Sequence, residues 1–90
     1  MPLISSFYGI LIYLYSEIGV RHKKPHIHAK YNEYELVVST DGEILAGEDN
    51  FPSKQKKLVE AWVALHSDEI KAAWIAWNED GEKIKIKGLE

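Results

Sequence analysis

Ninety residues carry a net charge of −3, 46% apolar and 28% charged side chains, and no cysteine. A chain this short holds one core and little else, which excludes a catalytic domain beside a separate binding domain; disulfides, thiolate zinc sites and a cysteine nucleophile are excluded as well. The acidic balance argues against sequence-independent nucleic-acid binding by the whole surface, which rests on a basic surplus.

Phe7-Tyr-Gly-Ile-Leu-Ile-Tyr-Leu-Tyr15 is rich in β-branched and aromatic residues and apolar on both faces, so it predicts a buried strand over 7–15. It falls well short of the ~20 apolar residues of a membrane span. Met1–Ser6 offers neither a basic leader nor a small-residue cleavage site. The expected compartment is therefore the cytoplasm, with no membrane partner. Residues 16–25 read as a loop, punctuated by Gly19 and Pro25.

Alternation then predicts two strands, 26–31 and 34–40. Ile27, Ala29 and Tyr31 share one face of the first, and Tyr34, Leu36 and Val38 fall in step on the second. A two-residue turn at Asn32-Glu33 sets Tyr31 opposite Tyr34, Lys30 opposite Glu35, Ala29 opposite Leu36 and Ile27 opposite Val38. Asp41-Gly42 is a strong hairpin signal. It leads to a short strand over 43–47, with Leu45 beside Val38 and Ile44 beside Ser39.

Beyond residue 51 the period changes. Val59, Val63, His66, Ile70, Trp74 and Trp77 recur at spacings of three and four, the stripe of an amphipathic helix. Pro52 suits a first turn and Gly81 the position past a C-terminus. Ser67-Asp68-Glu69 resembles a fresh N-cap with an acidic first turn, so helices are predicted over 53–66 and 68–79, with a break or kink between them. A short tail, 82–90, follows. The expected fold is α+β in a single domain, 1–90: an antiparallel β-meander of about four strands, then one kinked or two consecutive helices packed on one sheet face. Ile10, Ile12, Leu14, Ile27, Leu36, Val38, Val63, Ile70 and Trp74 are the expected core. Core packing is also the expected role of Trp62 and Trp77, against a base-stacking platform that would need exposed rings.

Chemistry concentrates in Arg21-His-Lys-Lys-Pro-His-Ile-His-Ala-Lys30, where three of the four histidines lie beside four cations. On a strand His26 and His28 share a face, flanked by Ser39 and Ile44 at His26 and by Val37 and Ala46 at His28. Three readings follow from this run. In the first the histidines are ordinary polar residues of a solvated face. In the second His22, His26 and His28 hold a metal ion, since side chains two apart on a strand can converge on it; no acidic partner that would orient the imidazoles is evident. In the third His26 and His28 work as an acid–base pair on an RNA phosphodiester without a cofactor, because imidazole as a group titrates near neutrality. Arg21, Lys24 and Lys30 would then contact phosphate and offset its developing charge. His66, apart on the helical stripe, reads as a buried or capping histidine.

Met1-Pro-Leu-Ile-Ser-Ser-Phe-Tyr-Gly-Ile10, Pro25-His-Ile-His-Ala29, and Ala61-Trp-Val-Ala-Leu-His66 followed by Asp68-Glu69 and Trp74 occur in this order along nearly the whole chain. In these motifs the sequence resembles the bacterial domain of unknown function 4160 family. The resemblance implies a small protein encoded beside another very small gene, as in toxin–antitoxin operons, and hence a small protein partner. It marks Pro25, His26, His28, Ala29, Trp62 and His66. Many relatives have an acidic or asparagine-rich stretch where His22 stands, which favours the His26–His28 pair over a three-histidine site. The leading expectation is a toxin–antitoxin-like protein acting on RNA or on its partner. The alternative is a non-enzymatic interaction module, an antitoxin-like partner or a homodimer.

Overall fold

The computed structural model describes residues 2–14 and 24–89. Five strands, β1 (Leu3–Phe7), β2 (Ile10–Tyr13), β3 (His26–Tyr31), β4 (Tyr34–Ser39) and β5 (Ile44–Ala46), are followed by one helix, α1 (Ser53–Asp80). All neighbouring strands pair antiparallel in the order β1-β2-β3-β4-β5, a plain meander.

The long strand expected over 7–15 is instead the second half of a hairpin. Tyr8 and Gly9 form a two-residue turn between Phe7 and Ile10, with φ of 49° and 79°. Two successive positive φ values are those of the type I′ turn, which matches the right-handed twist of the flanking strands. Tyrosine rarely takes positive φ, and the apolar run through the turn hid the reversal. This adds a fifth strand to the four expected. Tyr15, the end of the predicted strand, lies outside the described residues.

Between β3 and β4 the register is the expected one at every position, from His26 opposite Ser39 to Tyr31 opposite Tyr34. Asn32 alone takes positive φ there, 54°, and Glu33 does not. Between β4 and β5 the pairing departs from expectation by one residue. Ser39 N–H donates to the Glu43 carbonyl at 2.8 Å, so the loop holds three residues, Thr40 to Gly42, rather than two. The Ser39 hydroxyl accepts from the amides of Asp41 and Glu43 and tightens it further. Ile44 therefore faces Val38, and an irregularity at Leu45 restores Ala46 to its expected place opposite Val37. Gly47 follows with φ of 87°, and a methyl group there would come within 2.1 Å of the Glu35 carbonyl oxygen. No side chain fits that approach of backbone to backbone.

The helix packs on one face of the sheet. Ile4, Phe7, Ile10, Ile12, Leu14, Ile27, Ala29, Leu36 and Val38 from the sheet side meet Val59, Trp62, Val63, Ile70 and Ala73 from α1. Trp74 is an exception to the expected core: it and Trp77 are only partly buried, against the rim. The expected break is a kink within one helix, placed at His66, whose φ of −116° and ψ of 21° are not helical. Ser67 does not cap a new helix. Its hydroxyl donates to the Thr40 carbonyl at 2.8 Å and ties the kink to the β4–β5 loop. Past Gly81 the chain runs back along β1: Ile86 is buried, its N–H donates to the Ile4 carbonyl at 2.7 Å, and the Lys87 carbonyl accepts the Trp62 indole N–H at 2.9 Å. No helix among the described residues is long and apolar enough to cross a membrane.

Candidate functional site

Strand alternation decides what β3 presents to each side. Ile27 and Ala29 point into the core, so His26, His28 and Lys30 point to the opposite face of the sheet. There His28 lies in a row with Tyr13 on β2 and Val37 on β4. The two imidazoles are side by side, ring centroids 5.3 Å apart and planes inclined at 57°. The face is not a solvated one at this point: His26 is 6% exposed, and the His28 side chain 14%.

Each ring is oriented through Nδ1. At His26 Nδ1 lies 2.6 Å from the Lys24 carbonyl oxygen, and at His28 it lies 3.2 Å from the Glu35 carboxylate. A carbonyl and a carboxylate can only accept, so Nδ1 carries the proton in both rings and donates it. In the neutral form of each ring the basic lone pair then belongs to Nε2. Two neighbouring imidazoles of one tautomer are thereby fixed, one backed by a neutral acceptor and one by an anion.

Glu35 is the residue that sequence reasoning passed over. Its Cα sits opposite Lys30 as expected, but its carboxylate reaches diagonally to His28. Diagonal neighbours on one face lie within reach of long side chains, and the register already contained that signal.

The expected phosphate contacts stand in different surroundings. The Lys24 ammonium lies 3.4 Å from Asp41 and 3.5 Å from Glu43. The hydrogen bond to Asp41, with the charge of Glu43, holds its pKa above the ordinary value, so it is charged at neutral pH. An incoming phosphate would compete with two carboxylates for it. Lys30 holds its ammonium 5.2 Å from the centre of the Tyr13 ring, a cation–π contact. Arg21 and His22 lie outside the described residues. Among the described residues no three histidine or carboxylate side chains are grouped to hold a metal ion. His66 belongs to a separate place, its Nδ1 2.6 Å from Glu69 and its ring 5.5 Å from Trp62. A depression of about 270 Å³ lies there, lined by residues 64–69, and another of about 400 Å³ is lined by Tyr8, Lys54, Gln55 and Leu58. Neither includes the His26–His28 pair.

The chain matches the family described as Domain of unknown function (DUF4160) over residues 9–75. This span covers β2 to the second half of α1 and includes His26, His28, Glu35 and His66. The chain belongs to that family. No curated protein and no solved structure matches it.

Proposed function

We propose that this member of the family uses His26 and His28 as an acid–base pair on an RNA phosphodiester, as one component of a bacterial, cytoplasmic toxin–antitoxin-like pair. The observation that carries the reading is the shared tautomer: both rings donate Nδ1–H to a fixed acceptor, which leaves Nε2 as the basic nitrogen of each. The His28 Nε2 is buried in this structure, so the reading requires the side chains over it to move aside when RNA binds. His28, whose Nδ1–H is held by the Glu35 carboxylate, is the proposed base. Its Nε2 takes the proton of a ribose 2′-hydroxyl, and the resulting imidazolium is stabilised across the 3.2 Å contact. The freed oxygen attacks the adjacent phosphorus and the bond to the 5′-oxygen breaks. His26, entering as imidazolium, protonates that leaving oxygen. The products are a 2′,3′-cyclic phosphate and a 5′-hydroxyl, and the two histidines end with their protons exchanged. Arg21, Lys24 and Lys30 are the proposed phosphate contacts.

A second reading is favoured by the same contacts. Metal-binding imidazoles donate their other ring N–H to a carboxylate or backbone carbonyl, as His28 does to Glu35 and His26 to Lys24. The pair would supply two ligands, with His22 the proposed third.

One assay separates the readings. A short RNA and the same sequence as DNA are incubated with the purified chain over a pH series, in chelator and with added zinc. The acid–base reading expects cleavage of RNA only, in chelator, with a bell-shaped pH profile, because the two groups must start in opposite protonation states. Cleavage that needs zinc supports the metal reading. An uncut RNA under both conditions removes catalysis on RNA and leaves an interaction module.

A further inference from the structure

We propose that the depression between the β1–β2 turn and the start of α1 binds a nucleotide unit, with Tyr8 stacking on the base and Lys54 holding the phosphate. The depression is open, about 400 Å³ in volume, and lined by Tyr8, Lys54, Gln55 and Leu58. That volume falls in the range of small-molecule sites. The His26–His28 pair lies outside it, and a mononucleotide has no internucleotide bond to cut, so the proposal stands apart from the cleavage reading.

Tyr8 is an unusual residue for its place. A type I′ turn favours Asn-Gly, because both central residues take positive φ. Here the first of them is a tyrosine at φ 49°, a conformation that bulky side chains rarely adopt. Burial does not explain the choice, since Tyr8 is 52% exposed. A surface residue held in an unfavourable backbone region points to function more than to folding. The turn is also braced from behind: Gly9 backs onto the Tyr31 ring, where a methyl group would come within 3.4 Å. An exposed ring on a braced turn is a stacking surface, and every base offers it a π-face.

The helix supplies the complementary groups. Lys54 and Leu58 are one turn apart and Gln55 is three residues from Leu58, so the three share one side of α1, toward the turn. No carboxylate lines the depression, Asp49 and Glu60 included. The first turn of the helix has no acidic side chain, and Glu48 is tied to Lys56 at 3.1 Å. Among the described residues the Lys54 ammonium has no carboxylate partner and the Gln55 amide no hydrogen bond. Lys57, also exposed, is three residues from Lys54 and adds to the local positive field. The Tyr8 ring and Leu58 suit the flat faces of a base, and the Gln55 amide, both donor and acceptor, suits its polar edge. The ammonium suits a phosphate as a point charge.

The test is a titration of the ¹⁵N-labelled chain with adenosine 5′-monophosphate over about 0.05–20 mM, followed through its amide shifts. The amides of residues 8–9 and 54–58 should shift together and saturate, while adenosine and inorganic phosphate each bind more weakly. Tyr8→Asn suits the turn better and should remain folded by circular dichroism. It should weaken binding by about 5- to 150-fold, the range for one stacked base. Tyr8→Trp should keep the affinity. Lys54→Ala should weaken the nucleotide and its salt dependence but leave adenosine unchanged. A 2′-O-methyl tetra-adenylate, which cannot be cut through its 2′-oxygens, separates two sources of the unit. Tighter binding than the mononucleotide assigns the site to a single strand of RNA, and equal binding to a free nucleotide. The absence of a saturable shift overturns the proposal, and so does phosphate binding as tightly as the nucleotide or an unchanged affinity in Tyr8→Asn.

Discussion

Trp62→Ala should lower the free energy of unfolding by about 3–5 kcal/mol, the range for removing a buried tryptophan. The indole is fully buried between layers, 5.5 Å from the Phe7 ring on one side and 5.5 Å from His66 on the other. Its N–H also holds the Lys87 carbonyl, so one side chain fastens the helix to β1 and the C-terminal segment to both. The loss therefore combines a cavity with an unpartnered carbonyl. Trp62→Phe, which keeps much of the volume but loses the donor, should fall between the variant and the parent. Urea unfolding followed by far-ultraviolet dichroism measures both. A loss below about 1 kcal/mol for Trp62→Ala would mean that this junction is not where the fold is held.

The second large effect concerns the pair on β3. His28→Ala and His26→Ala should each reduce RNA cleavage by about 10²–10⁴-fold, the usual contribution of one acid–base group. The double variant should be little worse than either single one, because residues that act as a unit do not add. His26→Ala leaves the Lys24 carbonyl without its imidazole donor, so its unfolding curve belongs beside its rate. Glu35→Gln isolates the anion behind His28: it should lower the rate while leaving RNA affinity unchanged. Lys24→Ala should do the reverse, weakening binding and lowering the salt dependence by about one phosphate contact. If cleavage survives in both histidine variants, the reaction does not run through this face.

What the sequence made legible was whatever depends on local period. The alternation of β3 and β4 placed Ile27 against Val38 and both histidines on the face opposite the core, and the stripe from Val59 to Trp77 placed the helix. What it hid depends on turns and on reach. Phe7 to Leu14 carries no polar residue to mark a reversal, and only the positive φ at Tyr8 and Gly9 reveals the hairpin. Asp41-Gly42 announced a turn but not its length, which the bonds around Ser39 fix at three residues. Ser67 looked like a helix cap because its neighbours are acidic, yet its hydroxyl serves the Thr40 carbonyl. At the site, spacing brought His26 and His28 together. Their burial and their Nδ1 partners follow from packing and from a diagonal contact that the strand register allows but residue spacing alone does not show.

Every step proposed for this site uses Nε2 of both rings, so the direct measurement is where their protons sit. Long-range proton–nitrogen correlation of the imidazoles, recorded above the pH at which both rings are neutral, distinguishes the two tautomers of each histidine. The account expects His26 and His28 both to carry the proton on Nδ1, held by the Lys24 carbonyl and the Glu35 carboxylate, with Nε2 unprotonated. Glu35→Gln should disturb the His28 signals and leave those of His26 in place. A proton on Nε2 of either ring would contradict the account, because that ring would then offer its basic nitrogen to the backbone or to Glu35 rather than to a substrate.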